Sequence, residues 1–90
     1  MGVIRLTGTL TCGLGEAAAV RAALPEHIRL SRAEPGCLSF DVTETAKGVF
    51  TVAERFADRA AFDAHPARTR ASDWWQATGH MVRDFTLAGE

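Results

Sequence analysis

The sequence predicts an α+β domain in which helices cover one face of an antiparallel sheet. Four segments alternate apolar and polar residues, which is typical of half-buried strands. Two further regions space their apolar residues three or four positions apart, which is typical of amphipathic helices. Lys47-Gly48 is a tight turn signal between the two middle strands, so these strands form a hairpin.

The first half of the chain contains a strand, a helix and a second strand. Residues 3–12 alternate apolar side chains with arginine and threonine. Residues 16–33 form an apolar stripe at helical spacing, and Pro25 is expected to kink or restart that helix. Glu34-Pro35-Gly36 marks a turn, and a second strand follows at residues 37–45.

The second half of the chain contains a strand, two helices and a last strand. The third strand covers residues 49–57, and Asp58 is the expected N-cap of the next helix. Pro66 is predicted to end or bend that helix. A further helix is predicted at residues 67–78 and a last strand at residues 83–87.

This order of elements defines a ferredoxin-like βαββαβ fold with a four-stranded antiparallel sheet. At 90 residues the chain is expected to be a single domain over residues 1–90. Helices would cover one face of the sheet, and valine, threonine and alanine leave the other face partly apolar. A homodimer that packs sheet against sheet would bury that second face.

Composition argues against several classes of partner. The net charge is −1 and no basic run is present, so neither nucleic acid nor a membrane surface is expected. No apolar stretch approaches the roughly 18 residues of a membrane span, and the first residues do not resemble a signal peptide, so a cytoplasmic location is predicted. Cys12, Cys37 and the three histidines lack the spacing of a metal site, so no metal is expected.

Glu54 and His65 are the candidate catalytic pair. Glu54 lies about 13 Å back along the third strand from the cap at Asp58. His65 lies about 10.5 Å along the helix that returns from the same cap, so the two side chains sit at similar height. A carboxylate among aromatic residues needs a partner, and it would orient the imidazole and raise its basicity. The alternative is a contact that only anchors the helix to the sheet.

The motifs around these residues are specific enough to suggest a family. They comprise Glu34-Pro35-Gly36-Cys37-Leu38, then Glu54-Arg55-Phe56, Asp58, Ala61-Phe62 and His65. In this order they resemble the antibiotic biosynthesis monooxygenase family, which includes quinol monooxygenases, over roughly residues 3–87. The resemblance implies a dimeric α+β barrel. It also implies oxidation of a small aromatic quinol, phenol or anthrone by O2 with no flavin, haem or metal cofactor.

Four further residues are candidate substrate contacts. Trp74 and Trp75 are adjacent on a helix and point about 100° apart, so one is predicted for the core and the other for the pocket or dimer surface. A flat aromatic substrate would stack on the pocket tryptophan. Phe56 shares a strand face with Glu54. Arg83 is a candidate for holding an anionic substrate, with a surface ion pair to Asp84 as the alternative reading.

Two other functions stay open at this point. One is a non-catalytic, dimeric small-molecule-binding protein of the same fold. It is favoured because the sequence contains no asparagine, whereas the resemblance implies an asparagine and a tryptophan near the substrate in active oxygenases. The other is a haem-binding protein with His65 or His80 as ligand. His27, beside Glu26, is predicted to lie on a solvated helix surface.

Overall fold

The computed structural model describes residues 2–13 and 15–89. The elements in chain order are β1 (Ile4–Thr11), α1 (Ala17–Arg32), β2 (Cys37–Ala46), β3 (Val49–Phe56), α2 (Arg59–Arg70), α3 (Asp73–Thr78) and β4 (Val82–Gly89). The four strands form one sheet in the order β2-β3-β1-β4, and every neighbouring pair is antiparallel. This arrangement confirms the ferredoxin-like fold. The predicted single domain also includes positions 1, 14 and 90, which lie outside the described residues.

The helices differ from the sequence prediction at both prolines. Neither Pro25 nor Pro66 ends its helix, since α1 and α2 run through them. Pro25 is exposed, so the carbonyl that it leaves without a helical partner is on the solvent side. The predicted helix at residues 67–78 is wrong in extent, because α2 continues to Arg70 and the break falls just after it.

Burial explains why α2 survives its proline. The inner face of the helix buries Phe62, His65 and Thr69, and this packing outweighs one missing backbone hydrogen bond. The start of the helix is fixed as predicted, since the Asp58 carboxylate accepts a hydrogen bond from the Ala61 N–H at 2.8 Å. A tightened last turn, with 3.0 and 3.1 Å bonds to carbonyls three residues back, then ends it.

The core lies between the helices and one face of the sheet. It consists of two apolar clusters, one of Leu10, Val20, Phe50, Trp74 and Met81 and the other of Leu6, Val52, Phe56 and Phe62. Glu54 of β3 opposes Leu6 of β1 and Phe40 of β2 in the strand register. The sheet therefore places one carboxyl group in the middle of its apolar face.

One glycine brings β4 close to this face. Gly8 has a φ of 154°, and a Cβ at this position would lie 2.0 Å from the Asp84 carbonyl oxygen and 2.8 Å from the Phe85 ring. Gly8 is therefore a position at which β1 and β4 approach each other closely on this face, as a glycine within a strand permits. It allows Phe85 to lie over β1 on the side of the helices.

No helix among the described residues combines the length and apolar character needed to cross a membrane. The cytoplasmic location stays a prediction from the sequence.

Candidate active site

The site is built around the buried carboxyl group of Glu54. The residue is only 5% exposed, and its Oε1 atom has no hydrogen-bond partner among the residues that the structure describes. Burial, assisted by the negative charge of Glu34, raises the pKa of Glu54 to about 8. Glu54 is therefore mainly a neutral carboxylic acid at pH 7 and has a proton to donate.

His65 of α2 lies next to Glu54, as the strand and helix geometry predicts. Its Nε2 atom is 3.7 Å from Glu54 Oε1 and 3.5 Å from the hydroxyl oxygen of Thr69. Its shortest contact, however, is on the other ring nitrogen, where Nδ1 lies 2.9 Å from Glu34 Oε2. Burial lowers the pKa of His65, and the hydrogen bond to Glu34 partly opposes that effect.

Glu34 is the part of the site that sequence reasoning missed. It lies in the turn between α1 and β2, and its side chain is 9% exposed. The Nε–H of Arg68 donates to Glu34 Oε2, and the Nη2 group of Arg68 donates to the Ser31 hydroxyl at 2.9 Å. The sequence indicates a turn at Glu34-Pro35-Gly36, but no periodicity relates Glu34 to His65, which is 31 positions away.

The bond to Glu34 sets the protonation of the imidazole ring. The carboxylate of Glu34 only accepts hydrogen bonds, so Nδ1 of His65 carries the hydrogen and donates it. The second nitrogen, Nε2, then carries the free lone pair. That lone pair lies beside Glu54 and Thr69, and His65 lines a cavity between the helices and the sheet, so the arrangement can accept a proton there.

His27 of α1 corrects a sequence prediction. It is not solvated but only 5% exposed, and its ring stacks parallel on Trp74 with a centroid distance of 4.6 Å. Burial and the nearby positive groups lower the pKa of His27 to about 3, so the ring is neutral at pH 7. The overlooked signal is spacing, because Val20, His27 and Ser31 share the buried stripe of the helix.

A cavity of about 300 Å³ lies between the helices and the sheet. Its wall includes Glu54, His65 and His27, and most of the remaining wall is apolar. Both tryptophans line it, although Trp74 is buried at 6% exposure and Trp75 is partly exposed. The volume falls at the lower end of the range for small-molecule sites.

Phe56 and Arg83 occupy different places relative to the cavity. Phe56 is fully buried and is not part of the cavity wall, but its ring lies 5.3 Å from that of His65. It therefore supports the imidazole rather than forming the surface a substrate would touch. Arg83 does line the cavity, and strand alternation turns Asp84 to the opposite face of the sheet, away from it.

The second candidate haem ligand, His80, lies away from the cavity. His80 is exposed, contacts Glu16 at 2.6 Å and does not line the cavity. Within residues 2–13 and 15–89, no group of three or more His, Cys, Asp and Glu side chains is arranged to hold a metal ion.

Comparison with known proteins identifies the family. The model of the antibiotic biosynthesis monooxygenase family matches residues 4–77, which include Glu34, Glu54 and His65. The chain belongs to this family. No curated protein matches it significantly.

Solved structures agree with this assignment. A Deinococcus radiodurans protein provisionally named an antibiotic biosynthesis monooxygenase is 30% identical, with a TM-score of 0.73; the match covers 98% of this chain and 93% of that one. Rv0793 from Mycobacterium tuberculosis is 26% identical, with a TM-score of 0.77 and coverage of 98% and 94%. A Caulobacter crescentus protein with the same provisional name is 22% identical, with a TM-score of 0.76 and coverage of 99% and 90%, and shows the shared fold.

Proposed function

We propose that this protein is a cofactor-independent monooxygenase that oxidises a small aromatic quinol, phenol or anthrone-type substrate with O2. The observation that carries the proposal is the hydrogen bond between His65 Nδ1 and Glu34, because it leaves Nε2 free as a base beside the cavity. The mainly apolar wall suits a flat aromatic ring. Membership of the monooxygenase family supports the same type of reaction.

The chemistry needs a base more than a redox centre. For an anthrone-type CH2 group, His65 Nε2 removes one C–H proton, and the resulting anion transfers one electron to O2. The two radicals combine through a new C–O bond, and the peroxide takes the proton back from His65. All electrons come from the substrate, so no external reductant is required.

Glu54 has a distinct role in the second half of this reaction. The hydroperoxide must lose its second C–H proton and a hydroxide ion to become a ketone. His65 takes that proton, and neutral Glu54 protonates the departing hydroxide to give water. A proton then passes from His65 to Glu54 across the 3.7 Å contact and restores both groups. The sum is CH2 plus O2 giving C=O plus H2O.

This division of roles differs from the one expected from the sequence. From the sequence, Glu54 is expected to be the carboxylate that orients His65 and increases its basicity. A carboxyl group with a pKa of about 8 is mainly uncharged at pH 7, so it is a poor partner for an imidazolium. In our proposal Glu34 orients the ring and Glu54 supplies the proton.

A non-catalytic small-molecule-binding protein is the second candidate. It is favoured by the absence of asparagine and tyrosine from the sequence, because these residues would be neutral donors to a substrate oxygen. It requires only the cavity and its aromatic wall.

Oxygen uptake separates the two candidates. Metal-free protein is assayed with a panel of quinols, anthrones and catechols, beside His65→Gln and the control His80→Gln, which changes an exposed histidine outside the cavity. An oxygenase consumes O2 faster than autoxidation in the wild type and in His80→Gln but not in His65→Gln. Ligand binding without uptake above autoxidation supports the binding protein instead.

We further infer that the molecule is a homodimer. The helices pack on one face of the sheet, and the other face carries Thr7, Ala53 and Thr86 in neighbouring positions of β1, β3 and β4. Val82, on that same face, is 70% exposed. A second copy packed sheet against sheet would cover this surface.

A further inference from the structure

The guanidinium group of Arg83 is fixed in place at the cavity wall. Nη1 donates to the Thr78 carbonyl at 2.6 Å and Nη2 donates to the Thr78 hydroxyl at 2.8 Å. Thr78 is itself fully buried and donates its hydroxyl hydrogen to the Trp74 carbonyl at 2.8 Å. The guanidinium also lies 5.0 Å from the centre of the Trp75 ring. The cation is therefore held before any ligand arrives.

The charge of Arg83 has no anionic partner in the described part of the chain. Its hydrogen-bond acceptors are neutral oxygens of Thr78 and Met81, and no carboxylate among residues 2–13 and 15–89 forms an ion pair with it. Its Nε–H group has no acceptor within the same residues. Partial burial lowers the pKa of this guanidinium, as expected for a charge that has lost part of its hydration.

Most other arginines of the chain are neutralised. Arg21, Arg32 and Arg68 pair with Glu44, Asp41 and Glu34, respectively. A half-buried cation without such a partner is costly, so a cavity that retains one is suited to a ligand that brings the missing negative charge. Arginine suits a carboxylate because its N–H groups form a rigid, planar set of donors.

We propose that Arg83 is the anion-binding subsite of the cavity and that the natural ligand is a flat aromatic compound carrying a carboxylate. The carboxylate would accept hydrogen bonds from the unused N–H groups of Arg83, while the ring occupies the apolar part of the cavity near Trp74 and Trp75. The inference rests on the proposed function in treating this ligand as the substrate. It concerns binding, so it is tested without turnover.

The test compares two probes of the same shape. Naphthalene-2-carboxylate carries the charge, and naphthalene-2-carboxamide is its neutral counterpart. Binding to the full-length protein is followed by quenching of tryptophan fluorescence, with calorimetry as a second readout. We expect the wild type to bind the carboxylate about tenfold or more tightly than the amide, because charge-assisted hydrogen bonds are the stronger ones. A wild-type protein with no preference, or no binding of either probe, contradicts the proposal before any variant is made.

Variants then assign the preference to one side chain. In Arg83→Met the preference should disappear, with affinity for the amide little changed. Arg29→Met, which removes an exposed arginine paired with Glu26, should keep it. Arg83→Lys retains the charge without the planar donor set and should keep only part of the preference. A full preference in folded Arg83→Met, or its loss in Arg29→Met, would refute the subsite.

The outcome is independent of the oxygenase assay. Carboxylate selectivity without oxygen uptake supports the subsite and rejects the monooxygenase. Uptake that depends on His65 but shows no carboxylate selectivity supports the monooxygenase and rejects the subsite.

Discussion

At the scale of single residues, the surroundings of two ionisable groups in the site shift their pKa values in opposite directions. Burial raises the pKa of Glu54 to about 8 and lowers the pKa of His65. Glu54 is therefore mainly protonated at neutral pH, whereas a glutamate with the ordinary pKa of 4.5 would be ionised, and His65 is held in its neutral form. Such opposed shifts are typical of acid–base catalysis.

Replacement of Glu34 tests how the base is oriented. In Glu34→Gln the amide can donate to Nδ1, which places the hydrogen of the imidazole on Nε2 and removes the base. We expect kcat to fall by about 10- to 100-fold. Losing the negative charge also lowers the pKa of His65 further, so any residual activity should extend to lower pH.

The control for this variant is Glu26→Gln, which changes an exposed glutamate paired with Arg29. It should leave both kcat and the pH profile unchanged. Unchanged activity in Glu34→Gln would show that the orientation of His65 does not depend on Glu34.

The buried acid predicts a pH dependence of stability. Because the pKa of Glu54 rises from 4.5 in the unfolded chain to about 8 in the folded one, the folded state holds the extra proton between these values. This contribution to stability is fully present below pH 4.5 and is lost as the pH rises towards 8. Glu54→Gln removes the titration, so its Tm should fall less than that of the wild type between pH 5 and pH 8.5.

His27 predicts a pH dependence of stability with the opposite sign. Its folded pKa of about 3 lies below the ordinary 6.5, so stability is lost as the pH falls below 6.5. Thermal unfolding of the wild type and Glu54→Gln across pH 4 to 8.5 therefore measures the effects of both Glu54 and His27 on stability. Parallel curves for the wild type and Glu54→Gln above pH 5 would contradict the raised pKa of Glu54.

At the scale of elements, α2 positions His65, the proposed base, and the cap at Asp58 fixes where α2 begins. Asp58 accepts the Ala61 N–H, and His65 follows on the buried face. Asp58→Ala should lower the free energy of unfolding by about 1 kcal/mol, whereas Asp58→Asn retains a capping oxygen and should cost less. Chemical denaturation measures this difference.

Asp63→Ala is a matched control in the same helix, because it removes only an exposed pair with Arg59. It should cost about 0.5 kcal/mol or less. Equal losses in Asp58→Ala and Asp63→Ala would show that the cap does not stabilise α2.

The same elements show how far sequence reasoning reaches. The approach of Glu54 and His65 was predictable because both are measured from one turn along elements of known rise per residue. The α2 boundary was not, because the burial of Phe62, His65 and Thr69 overrides the local effect of Pro66. The role of Glu34 could not be predicted for a related reason, since it comes from a contact with His65, which is 31 positions away. The burial of His27 could have been predicted, because it lies seven positions after Val20 on the buried stripe of α1.

At the scale of the whole molecule, one side of the sheet carries the candidate site, and the helices leave the other side uncovered. The proposed homodimer buries the face that includes Thr7, Ala53 and Val82. Light scattering coupled to size-exclusion chromatography should give twice the chain mass of 9.7 kDa. Val82→Asp would place an unpaired charge in the interface and should shift the protein towards monomer.

The control is Leu87→Asp, which changes an exposed apolar residue of the same strand on the face turned towards the helices. It should remain dimeric. A wild-type monomer at micromolar concentration, or the loss of the dimer only in Leu87→Asp, would contradict the sheet-to-sheet arrangement.

In the proposed reaction, His65 removes a proton from an aromatic substrate bound in the cavity. The most direct measurement is to mix an anthrone with the protein in the strict absence of O2 and to record the absorbance of the anthrone anion. We expect the anion to accumulate on the wild type and on His80→Gln at a pH where free anthrone stays neutral, but not on His65→Gln. No anion on the wild type, or as much on His65→Gln, would contradict this role of His65.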